Sequence, residues 1–170
     1  KPINKRKIKM VSLKQMKSLI RDVCSKMGDK YASEDAINLV LATGIVESRY
    51  EYIRQMGDGP ARSFFQVEAA TAVDNLVHYL KHRTKLMAKC AEASLVDIKH
   101  WQNFDEKKWE EILEKNIAAG IVHCRLKYWR VPKRMPKAWI PWGMALNLKP
   151  SILPTKMAKM DPIGFSKTST

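Results

Sequence analysis

Apolar residues recur every three or four positions through most of the chain between residues 12 and 131, and this spacing places them on one face of an α-helix. The stretch at 50–66 is too rich in glycine, proline and aromatic residues for a helix, so we expect a loop there, with a short irregular hairpin that forms one wall of a cleft. The pattern therefore predicts a mainly α fold. Its helices are expected at about 12–28, 34–48, 68–90, 94–100 and 105–131.

The domain organisation follows from length and from the positions of the prolines. A chain of 170 residues with 45% apolar residues is long enough to bury one core. We place a single domain at 12–132, after a basic segment at 1–11. The prolines of 133–170 preclude long helices, and we expect this basic extension to wrap the surface. The apolar runs are too short to cross a membrane, and no secretory signal is visible.

The formal net charge of +14 is concentrated at the two ends of the chain. Residues 1–30 hold ten Lys/Arg against two acids and residues 125–170 hold ten against one, whereas residues 31–124 hold eleven against fourteen. Basic ends favour association with a polyanion or with an anionic membrane surface. A nucleic-acid-binding domain would interleave basic and aromatic residues along one helical face. We therefore expect no specific nucleic-acid partner.

The cysteines and histidines indicate neither disulfides nor a metal. Cys24, Cys90 and Cys124 lie far apart in predicted helices, and such an odd, scattered set is typical of reduced thiols. His78 and His82 have the i, i+4 spacing of two zinc ligands, but no glutamate follows the first histidine as it does in that motif. We predict no metal site and no cofactor.

Glu47 is unusual because it lies on the apolar side of the second predicted helix. Ser33 supplies an N-cap, and Glu34 and Asp35 suit the positive end of the helix dipole, so the helix begins near residue 34. The core-facing stripe that contains Glu47 also holds Ala36, Leu39, Val40, Thr43 and Gly44.

A carboxyl group at this place has a chemical use. Partial desolvation and the negative end of the helix dipole predict a raised pKa for Glu47. A carboxylic acid that stays protonated near neutral pH can protonate a glycosidic oxygen, as the acid of a glycosidase does. The alternative is that Glu47 turns aside and pairs with Arg49 or Arg54.

The chain continues after Glu47 with Ser48, the aromatic Tyr50, a turn rich in glycine and proline, and the run Ser63-Phe64-Phe65-Gln66-Val67. This order of residues resembles the lysozyme-like superfamily. Within it, the chain is most similar to the bacteriophage lytic transglycosylase and lysozyme domains, where a run of the type Gly-Pro-Ala-Arg-Gly-Phe-Trp-Gln-Phe-Glu follows Glu-Ser-Arg. Here residues 59–68 stand in that place, with Ser63 at the usual glycine. The resemblance is strong over residues 41–71 and weaker around residues 125–136.

The resemblance implies a lysozyme-like helical domain with a loop or small irregular hairpin beside the active-site cleft. It implies a muramidase that cleaves peptidoglycan between N-acetylmuramic acid and N-acetylglucosamine, with Glu47 as general acid and base. By the same resemblance, Gln66 positions the substrate and Phe65 supports it. Ser63 is expected to narrow the approach of the backbone to the sugar.

Two tyrosines complete the predicted substrate-binding set. Tyr50 and Tyr128 are expected to stack on sugar faces or to donate hydrogen bonds near the scissile bond. The alternative for both tyrosines is packing in the cleft wall, and for Phe65 it is packing in the core.

The kind of product depends on a second carboxylate. A hydrolysing lysozyme requires one, whereas in a lytic transglycosylase the same glutamate deprotonates the sugar's own hydroxyl and leaves a 1,6-anhydro end. Three acids are candidates, and each has another explanation: Asp58 lies in a turn where a short acid bonds its own backbone, Glu68 suits a helix N-terminus, and Glu51 follows the expected end of its helix. We therefore favour a transglycosylase.

The expected partner is the peptidoglycan glycan strand, with electrostatic association of the basic ends to anionic cell-wall polymers, teichoic acids among them, or to a membrane surface. We expect a monomer that is made in the cytoplasm of a phage-infected host and acts on the wall from the periplasm, or that is carried in a phage virion. Two other classes remain open: a non-enzymatic basic protein that binds nucleic acid, and a structural virion component with an inactive lysozyme-like fold.

Overall fold

The structure is a computed structural model that describes residues 11–131. The predictions for the basic segment before residue 11 and for the extension at 133–170 lie outside the described residues. The described chain is mainly helical with one small antiparallel sheet, which confirms the predicted mainly α fold. Its elements are α1 (Leu13–Met27), α2 (Glu34–Ser48), β1 (Ala61–Arg62), β2 (Val67–Glu68), α3 (Ala69–His78), α4 (Thr84–Ser94), α5 (Ile98–Trp101), α6 (Glu106–Lys115) and α7 (Ile117–Trp129), with 3₁₀ turns at Asp29–Tyr31 and Leu80–His82.

The first two helices begin and end as the sequence predicts. The Ser12 hydroxyl accepts a hydrogen bond from the Gln15 amide at 3.3 Å, and the Ser33 hydroxyl accepts one from the Ala36 amide at 3.2 Å. At the end of α1, Gly28 has φ +137°, a conformation that strongly favours glycine. Local signals therefore suffice to place both helices.

Helix α2 passes through the centre of the domain. Eleven of its fifteen residues are buried, so it is enclosed on several sides rather than along one stripe. Helices α1 and α7 both pack against it. A helix that is apolar nearly all round belongs in the middle of a core, and this position carries Glu47, on the last turn of α2, to the edge of that core.

The predicted single helix at 68–90 is wrong. The chain forms α3, then the 3₁₀ turn at 80–82, and then α4, with Tyr79 at φ −132° between them. No glycine or proline marks this break. The cause is tertiary, because α3 packs on α6 whereas α4 packs on α1, and buried Leu80 lies at the corner between the two directions.

The predicted long helix at 105–131 is also two helices. It begins as expected, with Asp105 as the cap of α6, but Asn116 is extended and starts α7. The Asn116 side chain accepts from the Ala119 amide at 2.8 Å and donates to the Ser94 carbonyl at 2.9 Å. Because an asparagine can satisfy both groups in this way, the chain turns there and ties α7 to the end of α4.

The predicted helix at 94–100 lies later in the chain. Leu95 adopts φ +56° and ends α4, and the Asp97 carboxylate caps the short helix α5 by accepting from the Lys99 amide at 2.9 Å. Trp101, which follows the expected end of this helix, is its last residue and is fully buried.

The loop between α2 and α3 contains the small irregular hairpin that the sequence predicts. Ala61 pairs with Glu68 and Arg62 pairs with Val67, and a further bridge joins Arg54 to Arg62. The hairpin is fixed to the helices by charge, because the Arg62 guanidinium lies 3.2 Å from the Glu110 carboxylate and 3.5 Å from that of Glu114. The wall of the cleft is therefore attached to α6.

Two further findings concern the described residues as a whole. Cys24, Cys90 and Cys124 are buried free thiols on three different helices, as predicted. Within residues 11–131, no helix has the length and the apolar character needed to cross a membrane.

Candidate active site

A cleft of about 170 Å³ lies between α2, the hairpin, the start of α3 and α7. Helix α2 contributes Thr43 and Glu47, which are one turn apart. Helix α7 contributes Cys124, Lys127 and Tyr128, whose i, i+3, i+4 spacing puts them on one face. The remaining lining residues come from the hairpin and α3: Phe65, Gln66, Val67, Glu68 and Thr71.

Glu47 is half-buried on the last turn of α2, and its backbone is well fixed. Arg49 takes φ +53° and ends the helix. The Tyr52 hydroxyl donates to the backbone carbonyl of Glu47 at 2.7 Å. Arg54, one of the two arginines that the sequence offers as a surface partner for Glu47, forms an ion pair with Glu114 of α6. The backbone at the helix end is thus fixed where Glu47 enters the lining of the cleft.

Gln66 lines the same cleft from the opposite wall. Its backbone is left-handed, with φ +51°, and only 7% of the residue is exposed. The side-chain nitrogen donates to the Ser63 carbonyl at 2.8 Å. This bond orients the amide and, within the described residues, leaves the side-chain carbonyl as an acceptor for a substrate hydroxyl or N–H.

Tyr128 is held against α2 by a chain of hydrogen bonds. The Thr43 hydroxyl donates to the Leu39 carbonyl at 2.7 Å and lies 3.1 Å from the Tyr128 hydroxyl. Because the threonine proton is already given to Leu39, the Tyr128 hydroxyl is the donor in the second bond. The tyrosine hydroxyl is therefore fixed in the cleft whose lining also contains Glu47, one turn of α2 from Thr43.

Of the three candidate second carboxylates, Glu68 alone lines the cleft. It is half-buried and precedes α3, for which its side chain makes no cap hydrogen bond. Glu51 and Asp58 are exposed and lie outside the cleft lining. Asp58 sits in the turn at φ +60°, next to Gly57 at φ +77°. The loop exposes both acids to solvent, so the structure does not bring Glu51 or Asp58 into the lining with Glu47.

The predicted contact of Tyr50 with sugar is wrong. Tyr50 is 4% exposed, and its hydroxyl donates to the Leu41 carbonyl at 2.7 Å. Its ring packs over Gly44, where a Cβ atom would overlap the ring. Phe65 packs edge-on against it, with ring centroids 6.0 Å apart. Tyr50 is thus a core residue that supports Phe65, whereas Phe65 is both buried and part of the cleft lining.

The predicted role of Ser63 near the sugar is also wrong. Ser63 is 2% exposed and does not line the cleft. Its hydroxyl faces Gly120 in the middle of α7, where a Cβ atom would overlap the Ser63 oxygen. Gly120 therefore permits the close packing that its mid-helix position predicts, and the element that packs there is the hairpin turn.

Backbone strain is concentrated in the segment that joins α2 to the hairpin. Six non-glycine residues of the described chain have positive φ, and five of them fall within residues 49–66. Such conformations cost free energy and are retained where the surrounding structure requires them. Of the five, Gln66 lines the cleft, whereas Tyr50 and Ser63 are buried and Asp58 is exposed outside it.

Sequence reasoning missed Thr71 and Lys127 as lining residues. Thr71 lies three positions after Glu68 on the first turn of α3, and Lys127 precedes Tyr128, so both follow from helical spacing once the neighbour is assigned. Cys124 also lines the cleft, but burial raises the pKa of its thiol to about 12. It therefore stays protonated and is no nucleophile.

Comparison with known proteins adds no relative: no family model, no curated protein and no solved structure matches this chain. Within residues 11–131 no three His, Cys, Asp or Glu side chains come together as a metal site.

Proposed function

We propose that this chain is a lysozyme-like enzyme that cleaves the glycan strands of peptidoglycan with Glu47 as its general acid and base. The observation that carries the proposal is that Glu47, Gln66 and Tyr128 line one cleft although they come from three separate elements. Glu47 and Gln66 are the acid and the positioning amide that the resemblance implies, and Tyr128 is one of the two tyrosines that the sequence offers for substrate contact. The enzyme is proposed to be of phage origin and to serve lysis or penetration of the host wall.

The proposed reaction begins with proton transfer. The Glu47 carboxylic acid gives its proton to the glycosidic oxygen between N-acetylmuramic acid and N-acetylglucosamine, and the C1–O bond breaks. The Glu47 carboxylate then takes the proton of the muramic acid C6 hydroxyl, whose oxygen bonds to C1. One bond is broken and one is formed, no water is consumed, and Glu47 ends protonated for the next cycle.

The cleft also favours a second candidate. Glu68 lies in the same lining as Glu47, and a second carboxylate beside the acid is what a hydrolysing lysozyme uses to activate water or to bond C1. The hydrolase is therefore the alternative to the transglycosylase, and Glu68 is the residue that would supply the missing carboxylate.

The first test is loss of activity in Glu47→Gln, measured as the clearing of a suspension of purified cell walls. We expect no clearing and a melting temperature that is unchanged or higher, since an amide avoids the cost of a partly buried acid. Glu51→Gln is the matched control, because Glu51 is exposed outside the cleft, and it should clear walls normally. An active Glu47→Gln protein would refute the proposal.

Mass spectrometry of the released fragments separates the two reactions. A transglycosylase gives anhydro ends, one water lighter than the reducing ends of a hydrolase. With anhydro products, Glu68→Gln should retain most of the activity. Reducing ends throughout, together with inactivity of Glu68→Gln, would establish the hydrolase instead.

A further inference from the structure

A second and larger groove, of about 730 Å³, lies where the end of α1 meets the start of α4. It shares no lining residue with the cleft that contains Glu47. Four of its side chains are cations, against a single acid, Asp29. The cations are Lys30, Arg83, Lys85 and Lys89. The groove is thus strongly basic, although the middle of the chain as a whole is slightly acidic.

The described part of the chain does not pair these four cations with acids. Some lysines and arginines of the described residues pair with acids, as Lys17 and Arg21 do with Glu34. Among the ion pairs of residues 11–131, none involves a cation of the groove. Like charges gathered without counter-charge repel one another, and an anionic ligand relieves that repulsion.

Two of the four cations, Arg83 and Lys30, are held in place by contacts with neighbouring aromatic residues. The Arg83 guanidinium donates to the Tyr79 carbonyl at 2.8 Å and lies 3.9 Å from the centre of the Tyr79 ring. The Lys30 ammonium lies 5.3 Å from the ring centres of both Tyr31 and Trp129. Because these side chains rest on aromatic rings, less conformational entropy is lost when they bind an anion.

The start of α4 adds backbone donors to the same groove. Helix α4 has eleven residues, no side-chain cap and no acid in its first turn. The amides of Thr84, Lys85 and Leu86 therefore have no helical partner, and Met87 makes the first bond, to the Arg83 carbonyl at 2.8 Å. These amides and the helix dipole reinforce the field of the cations.

We propose that this groove binds the phosphate groups of a linear polymer without bases, of the alditol-phosphate class found in bacterial envelopes. Charge complementarity selects the phosphates. A polymer without bases is favoured because the Tyr31 ring in the lining is 2% exposed and offers no face for stacking, which leaves the exposed imidazole of His82 as the ring of the lining that a base could meet. The choice of an envelope polymer rests on the proposed function, since such a contact would hold the cleft near its glycan substrate.

The experiment measures binding of the full chain to short-chain inorganic polyphosphate and to an alditol-phosphate polymer. The variant is Lys85→Glu with Lys89→Glu, and the matched control is Lys99→Glu with Lys107→Glu, which changes the net charge equally at exposed sites without ion pairs. We expect the groove variant to bind the polymer about 10-fold or more weakly than the wild type. The slope of log affinity against log salt concentration should also become shallower by roughly one for each phosphate contact that is lost. The control should change affinity by about 2-fold at most.

Amide chemical shifts locate the contact independently of affinity. Binding should move the signals of residues 84–86 in the wild type and leave them unmoved in the groove variant. Equal losses of affinity in the groove variant and its control would overturn the proposal, since they would show that the polymer is attracted by net charge and not by the groove. Tighter binding of single-stranded DNA with the same number of phosphates would also overturn it. Glu47→Gln should bind the polymer normally, so a failure of this proposal is distinct from a failure of the proposed enzymatic function.

Discussion

His123 is fully buried and is enclosed by the rings of Trp101 and Trp109, whose centres lie 5.2 and 4.7 Å from that of the imidazole. The Asn75 amide nitrogen lies 3.1 Å from His123 Nδ1. Because the amide donates to Nδ1, the neutral ring carries its proton on Nε2. Burial lowers the pKa of His123 from 6.5 to about 3. The folded protein therefore keeps this side chain neutral at any pH near physiological.

This burial predicts a loss of stability in acid. Below pH 6.5 the unfolded chain takes up a proton at His123 that the folded chain refuses until about pH 3, so the free energy of unfolding falls as the pH falls through that range. His123→Phe removes this contribution. Between about pH 6.5 and about pH 4.5 the wild type should lose about 2–3 kcal/mol more than the variant in urea unfolding. Exposed His82→Gln is the control, and parallel curves for the wild type and His123→Phe would contradict the prediction.

Ser63 and Gly120 form a close contact whose cost can be measured. Ser63 has φ +70°, and its buried hydroxyl has no hydrogen-bond partner within the described chain. Ser63→Gly should therefore raise the free energy of unfolding by about 1 kcal/mol. Gly120→Ala should lower it by about 1–3 kcal/mol, because the new Cβ overlaps the Ser63 oxygen.

The double variant tests the contact itself. Removing the Ser63 side chain makes room for the methyl group that Gly120→Ala introduces, although the Phe65 ring stays 3.3 Å from that position. We expect the loss caused by Gly120→Ala to be smaller in the Ser63→Gly background, as measured by denaturant titration. Strictly additive effects would show that the two residues do not compete for space.

At the scale of elements, short polar signals decide where helices meet. Asn116 is the single residue between α6 and α7, and its side chain both caps α7 and reaches the Ser94 carbonyl at the end of α4. Because α7 carries Tyr128 and Lys127 into the cleft, this corner sets the position of one cleft wall.

Asn116→Ala should lower the free energy of unfolding by about 2 kcal/mol, roughly half from the lost cap and half from the lost bond to Ser94. Asn116→Ser retains a capping hydroxyl, so it should recover the contribution of the cap but not that of the hydrogen bond to Ser94. Chemical denaturation of the three proteins is the measurement. Equal stability of the alanine and serine variants would show that the cap contributes nothing.

At the scale of the whole molecule, the positive charge of the two ends should govern adsorption to walls. Binding to purified walls should weaken as salt rises, because screening shortens the range of these charges. Deleting residues 1–9, which hold five Lys/Arg and no acid, should weaken binding further and leave cleavage of short soluble glycan fragments unchanged. Binding that does not depend on salt would contradict this electrostatic account.

The sequence alone determined what depends on neighbours within one helical turn. Ser33 caps its helix as predicted, and Ser12 and Asp105 cap helices that begin where the periodicity places them, because a cap is a contact over two or three residues. The same short-range logic located Glu47 at the end of α2 and the hairpin after the Gly/Pro turn. Gly120 indicated close packing correctly, but nothing local could identify Ser63 as the side chain that fills the space.

Tertiary structure alone decided where two predicted helices break and which residues line the cleft. Helical periodicity continues through Tyr79 and Asn116, and only the different directions in which α3, α4, α6 and α7 pack interrupt it. The acids Glu51, Asp58 and Glu68 are equivalent in a sequence, whereas the folded loop turns the first two to solvent and the third into the cleft. Burial is a property of the assembled core, and for this reason Tyr50 is a core residue and His123 a neutral one.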